Sequence, residues 1–340
     1  MFSKMIFTGG LVLAIAMGCG TSPPQSDHSR MVTDQLGRKV RLPARITKIA
    51  ALHHFGGKIT YALKQDPFLV EKSIYGKEAL ALAKVDKLFA KLPESIQGHA
   101  HNVEGLISRG PQVVFLYASG DQGEIDLYTR AGIPVIGVKG ETFEQSYGAV
   151  RLMAKVLQCQ EKGENYIRAC KDLLKMVAQR IHQGRTGKAP VRVLFTGPKS
   201  IYSVATGHML QTEILESAGA VNVAKGVKGF WADVSPEQIA AWDPEVIFMG
   251  STFNTLGKDQ ILANPHFSTV TAIKTRQIYT FPSNIGWWDY PAPHAVLGVV
   301  WSAKTLYPNL FEDVDILALA NTFYKNFLGH SFEEMGGKLP

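Results

Sequence analysis

The residues of this chain best suited to hold a ligand are histidines and aromatics gathered where strands give way to loops. In the first half they are His53, His54 and Phe55, then His99 and His101, then Tyr117; in the second half they are Tyr202, Phe230, Trp231, Phe253 and the run Trp287, Trp288, Asp289, Tyr290. Imidazole can ligate a metal or hydrogen-bond the edge of a complex, and aromatic rings can stack on a macrocycle or a catecholate. For any one ring the alternative is partial burial in a core. The Trp287 to Tyr290 run, beside Pro291 and Pro293, differs, because consecutive loop residues cannot all face one core. Trp287 and Trp288 are therefore expected to wall a ligand site. The expected contact set is His53, His54, His101, Tyr117, Tyr202, Trp231, Phe253, Trp287, Trp288 and Tyr290, with His53 and His101 as candidate metal ligands.

Other chemistries find little support. There is no G-x-S-x-G elbow, no G-x-G-x-x-G after a strand and no P-loop, and Gly56-Gly57-Lys58 lacks the upstream glycine spacing. The chain reads as a binder rather than an enzyme, with no resident cofactor. One rival is a site for a bare ion such as zinc, with His53, His54, His99 and His101, joined by His294, supplying imidazole nitrogens. Against it, adjacent loop histidines usually turn only one ring inward, and neither H-E-x-x-H nor C-x-x-C is present. Haem with a histidine ligand lies between the two readings. A chelatase that inserts metal into a tetrapyrrole, and an inert structural protein, are the further alternatives.

The elements that must position these residues are two related sets separated by one helix. Asn102 to Ser119, NVEGLISRGPQVVFLYAS, and Ser235 to Thr252, SPEQIAAWDPEVIFMGST, align at an offset of 133 residues, pairing Glu104 with Glu237, Pro111 with Pro244, Val113 with Val246 and Phe115 with Phe248. Each predicts a short helix, a turn, and an apolar run suited to a parallel strand buried on both faces. A second apolar strand follows each, at Ile133 to Val138 and Gln277 to Phe281. Between the sets, Glu161 to Gln183 carries Tyr166, Ile167, Cys170, Leu173, Leu174, Val177 and Ile181 at three- and four-residue spacing, which predicts one helix with a single apolar stripe. Those twenty-three residues span roughly 34 Å, and Gly184, Gly187 and Pro190 should stop the helix. Before the first set, Val32 to Pro43, VTDQLGRKVRLP, predicts two short strands around a tight turn.

At the N-terminus, Lys4, the apolar stretch Met5 to Met17 and the junction Ala16-Met17-Gly18-Cys19 read as a cleavable export signal. The junction resembles the bacterial lipoprotein box, with Ala16 where Leu is usual. The resemblance implies that Cys19 carries lipid; an ordinary secretory signal is the alternative. Gly20 to Arg30 has the composition of a flexible tether. With 46% hydrophobic and 19% charged residues the remainder suits a soluble globular protein, and about 310 residues suffice for two lobes. The formal charge of +7 comes without Lys/Arg-rich runs, so no nucleic-acid partner is expected. Cys159 and Cys170, if on one helix, would stand ~16 Å apart, too far for a disulfide. The resulting division is a signal over 1–18, a tether over 19–30, an N-terminal lobe over 31–158, a linking helix over 159–184 and a C-terminal lobe over 190–340.

The lipobox, the D-x-x-G-R-x-V-x-L-P hairpin, the N-V-E-x-L and S-P-E-Q-I units, the single linking helix and the late segment LYPNLFEDVDI, in that order, resemble the class III periplasmic binding proteins of ABC importers. The resemblance runs from Val32 to about Leu328. It implies an α/β fold of two Rossmann-like lobes joined by one long helix, with a cleft at the strand ends and only slight closure. It further implies a monomer that delivers a ferric siderophore, haem or cobalamin to permease and ATPase subunits. One glutamate on each lobe would dock to the permease, and the matching positions are Glu124 and Glu213, the latter in Gln211-Thr212-Glu213-Ile214-Leu215. A helix-terminus charge role is the alternative for both.

Overall fold

The computed structural model describes residues 29–94, 96–97, 100–117, 122–185, 187–198, 200–250 and 258–340, with backbone only for 96, 97, 100 and 101. Cys19, His99, Phe253 and the His101 side chain thus lie outside the described residues. In chain order the first lobe contains β1 (Arg30–Thr33), β2 (Lys39–Leu42), β3 (Ile49–Ala51), α1 (His54–Ala62), α2 (Gly76–Val85), α3 (Lys87–Lys91), β4 (Ile96–Gln97), β5 (Ala100–His101), α4 (Val103–Arg109), β6 (Val113–Tyr117), α5 (Gln122–Arg130), β7 (Val135–Val138) and α6 (Phe143–Val156). The spine α7 (Gln160–Gly184) follows. The second lobe contains β8 (Val191–Thr196), β9 (Ser203–Ala205), α8 (Leu210–Ser217), β10 (Ala220–Asn222), β11 (Trp231–Asp233), α9 (Pro236–Trp242), β12 (Val246–Met249), α10 (Lys258–Leu262), α11 (Thr271–Lys274), β13 (Ile278–Thr280), α12 (Ala295–Leu306) and α13 (Ile316–Leu328).

The internal repeat becomes the centre of each lobe. Parallel strands run β3-β6-β7 in the first lobe and β8-β12-β13 in the second, with β6 and β12 in the middle. Val113 to Leu116 and Val246 to Met249 are all buried, as continuous apolar runs between two helical layers must be. The helices before these strands are capped alike. Asn102 accepts from the Gly105 amide at 2.8 Å and Ser235 from the Gln238 amide at 3.2 Å. Both helices end in a left-handed residue, Gly110 at φ 65° and Asp243 at φ 43°, and Asp243 also receives the Thr271 amide at 2.7 Å. The second lobe adds antiparallel β9 and β11, and β10 parallel to β8.

The β1–β2 hairpin is locked by buried Asp34, which takes the Leu36 and Arg38 amides, the Arg38 guanidinium and, from β7, the Gly137 amide at 3.0 Å. That last bond fastens the hairpin to the edge of the first sheet.

Helix α7 has 25 residues, about 38 Å of rod. Its stripe of Tyr166, Ile167, Cys170, Val177 and Ile181 is buried, against α6 on one side and α8 and α12 on the other. Gly184, the last residue of the helix, lets Leu310 pack against the backbone, where a Cβ would collide with it. The Tyr166 hydroxyl donates to the Pro293 carbonyl at 2.8 Å, tying the spine to the second lobe. Past α12 the chain returns, and α13 packs on α1 of the first lobe. One apolar core therefore runs through both lobes by way of α7, α12 and α13. Cys159 and Cys170 are free thiols, and burial pushes Cys170 up to about 12. Among the described residues, no helix is long and apolar enough to cross a membrane.

Candidate ligand-binding site

The segments that follow β3 in the first lobe and β13 in the second line one cavity, at the strand ends where open α/β sheets bind ligands. On the first lobe, β3 ends at His53, which caps α1 by accepting the Phe55 amide at Nδ1 over 3.2 Å. Its proton therefore sits on Nε2. The His53 ring lies 3.9 Å from that of His54 and 4.5 Å from that of Tyr117, at the end of β6. The Tyr117 hydroxyl donates to Glu141, which follows β7, at 2.5 Å. Burial raises the Glu141 carboxyl and the Tyr117 bond opposes that rise. Burial first, then the charge of Lys58, holds His54 well below the usual imidazole range, so it is neutral.

The second lobe answers with Trp231, Trp287 and Tyr290. The rings of Trp287 and Tyr290 are 5.0 Å apart, and Trp231 lies beside the Tyr290 hydroxyl. The two sets meet at one cavity, which His54 lines from the first lobe and Trp287 from the second. This cavity, of about 760 Å³, is walled by both lobes. His54, Lys58, Tyr75, Lys77 and Glu78 line one side; Phe281, Ser283, Asn284, Trp287 and Lys338 line the other.

Of the sequence-predicted contacts, His53, His54 and Tyr117 converge on the first lobe, and Trp231, Trp287 and Tyr290 on the second. Trp288 does not join them. It is 0% exposed, its indole donates to the Tyr324 hydroxyl at 3.1 Å, and it packs 5.6 Å from Phe332. The loop turns so sharply that neighbours face opposite ways, Trp287 outward at 39% exposure and Trp288 into the core. Tyr202 also lies elsewhere: its hydroxyl takes a bond from Asn264 at 3.2 Å and its ring packs 5.9 Å from Phe267 in a separate core of the second lobe. Phe253 and the His101 side chain are outside the described residues. His294 is fully buried, stacked 5.2 Å from Tyr324.

Glu213 is the docking candidate of the second lobe, and its carboxylate accepts the Phe143 amide at 2.6 Å. It caps α6 of the first lobe from α8 of the second, and burial raises its pKa. Glu124 is half-buried in the opening turn of α5.

Sequence reasoning missed Lys58, Tyr75, Glu78 and Glu141. A signal for Lys58 existed, a single lysine within the otherwise uncharged HFGGKITYA of α1. For a bare ion the donors do not gather. Among the described residues no group of three or more His, Cys, Asp or Glu side chains could hold a metal, and the Nδ1 lone pair of His53 already accepts the Phe55 amide.

Two α/β lobes on a shared helical spine, with an aromatic and imidazole-lined cleft at the strand ends, define a class III solute-binding protein, a binder of small ligands rather than an enzyme. The chain belongs to the periplasmic binding protein family, whose model matches residues 49–285. It is 28% identical to the molybdate-binding protein MolA of Haemophilus influenzae, over 89% of this chain and 92% of that one. It is 27% identical to the vitamin B12-binding protein of Salmonella typhi over 58% of this chain and 69% of the relative. The solved structure of Haemophilus influenzae MolA bound to molybdate superposes with a TM-score of 0.75 at 24% identity, covering 89% of this chain and 98% of that one. A solute-binding protein from Veillonella parvula gives a TM-score of 0.74 at 24% identity, covering 91% and 96%. At such identities the structural likeness speaks to the fold.

Proposed function

We propose that this protein is the capture component of an ABC importer for a metal chelate, of the ferric siderophore, haem or cobalamin class, taken up in the inter-lobe cleft and delivered to a permease driven by an ATPase. The observation that carries the reading is the cavity of about 760 Å³ shared by the lobes. Its volume is that of a site for a drug-sized organic molecule, and Trp287, Tyr75 and Phe281 offer flat apolar walls. The spine and the shared core allow only small tilts, which suits a cargo whose shape is already fixed by its metal and so costs little ordering on binding.

A second reading has its own support. The relative matched over nearly its whole length is named for molybdate, and neutral donors such as the His53 imidazole and the Trp231 indole can hold a tetrahedral oxyanion. A thermal-shift panel separates the two. The purified protein is melted with ferric catecholate, haemin, cyanocobalamin and sodium molybdate. A rise in melting temperature with one of the three chelates, at ligand well above Kd, supports chelate capture; a rise with molybdate alone transfers the assignment to an oxyanion, and no rise with any of the four rejects both.

Export through the leader, a lipid on Cys19, a monomeric state and docking to the permease through Glu124 belong to the same proposal. Glu213 would have to leave Phe143 to take part in docking.

A further inference from the structure

Lys58 is the most unusual residue of the cleft. It lies on α1 among apolar neighbours and is 3% exposed, yet it lines the cavity. Its Nζ sits 2.6 Å from Glu78 Oε2 on α2. A buried ion pair is weak support for a fold, because desolvating both charges offsets most of their attraction and apolar replacements often serve as well. An ammonium also carries three donors, and Glu78 Oε2 takes one of them.

The surroundings fix this pair in place. A Cβ on Gly286 would lie 2.8 Å from Glu78 Oε1, so the loop of the second lobe stands directly against the carboxylate and blocks it from swinging away. That loop is itself held by Ser283, whose hydroxyl bonds the Gly286 carbonyl at 2.7 Å and receives the Gly286 amide at 3.2 Å. Among the side chains lining the cavity, three carry ammonium groups, Lys58, Lys77 and Lys338, against the single carboxylate of Glu78. The wall therefore has a cationic surplus that a negatively charged ligand would neutralise.

We infer that Lys58 is the charge anchor of the cleft, that Glu78 is the positioning residue holding its ammonium at the wall, and that the cargo presents an anionic oxygen, carboxylate or catecholate, to Lys58. This rests on the cavity being the cargo site. Lys77 and Lys338, both exposed, draw the anion toward the mouth, while Lys58 meets it where water is scarce and a charge-assisted hydrogen bond is strongest.

The test is titration of the purified protein with ferric tris(2,3-dihydroxybenzoate) and with haemin, read by quenching of tryptophan fluorescence, at low and high salt. Lys58→Met should weaken binding of the anionic chelate by about tenfold or more while leaving its salt dependence, set by exposed Lys77 and Lys338, largely unchanged. Lys58→Arg should stay within about threefold of wild type, since the charge is kept. Should Lys58→Met fold poorly with Glu78 left unpaired, the double variant Lys58→Met/Glu78→Met restores an apolar pair. With a melting temperature near that of wild type, it should show the same loss of affinity. A double variant that binds as wild type does overturns the anchor and leaves chelate capture standing. A wild-type protein quenched by neither chelate overturns the anchor, and one quenched by neither of them nor by cyanocobalamin overturns the capture reading as well.

Discussion

Trp287 and Trp288 adjoin in the chain and differ in everything else. Trp288 is sealed in the core, bonded to Tyr324 and packed on Phe332, so Trp288→Ala should cost about 3–5 kcal/mol of stability. Trp287 stands at the cavity with 39% of its surface exposed. Covering its ring with ligand is worth ~1–3 kcal/mol, so Trp287→Ala should lower chelate affinity by about tenfold and leave the denaturation midpoint nearly unchanged. Urea melts and ligand titrations of the two variants check this, and a reversed pattern would refute the assignment. Glu71 is also informative at this scale. Its carboxyl is buried and pushed up to about 7, with Arg109 at 3.4 Å only partly opposing. Because the folded state holds this proton more tightly than the unfolded chain, the contribution is present below the ordinary carboxyl range and is lost as pH rises toward 7. A displacement of that size amounts to roughly 3 kcal/mol. Glu71→Gln should therefore flatten the fall in stability between pH 5 and 8 by an amount of that order, in urea melts run across the range; an unchanged slope would show that Glu71 titrates normally.

Among the elements, the duplicated unit explains why the lobes are alike. Because α4–β6 and α9–β12 share caps, turn and strand, each lobe is built on a central buried strand of the same kind. Helix α7 then sets how the two lobes meet. Its stripe is committed to α6 on one side and to α8 and α12 on the other, so one lobe cannot rotate far without uncovering apolar surface. Tyr166 to Pro293 and Glu213 to Phe143 add polar ties across the same boundary. The unit was visible in the sequence because its pattern is local: capping residue, Pro turn and apolar run all lie within eighteen residues in each copy. The return of α13 onto α1 left no comparable trace, since it depends on two stripes far apart in the chain.

For the whole molecule, the proposed task is a relay: capture outside the cytoplasm, retention near the membrane, and transfer to a permease. Cys19→Ser should move the protein from the membrane fraction to the soluble fraction, and retention in the membrane would remove the lipid from the scheme. Glu124→Arg should slow uptake of the cargo while leaving its affinity for the purified protein intact, as charges at the edge of an interface act on encounter and register. Normal uptake by that variant would count against docking through the first lobe.

Much of this protein was legible from residue order. The β1–β2 hairpin, the duplicated unit, the long helix and the strand-end positions of His53, His54, Tyr117 and Trp287 all follow from periodicity and turn chemistry, which act over a few residues. The ligand cleft was legible only as a set of loops. That Trp287 faces the cavity while Trp288 enters the core, that Tyr202 joins another core, and that Glu213 caps a helix of the opposite lobe were decided by tertiary structure alone. So was the meeting of Lys58 with Glu78, twenty residues apart in sequence and 2.6 Å apart in space. Side-chain direction in a loop is set by what packs against it, and those neighbours come from distant segments. The pairing of buried charges depends in the same way on which helices the lobes bring together.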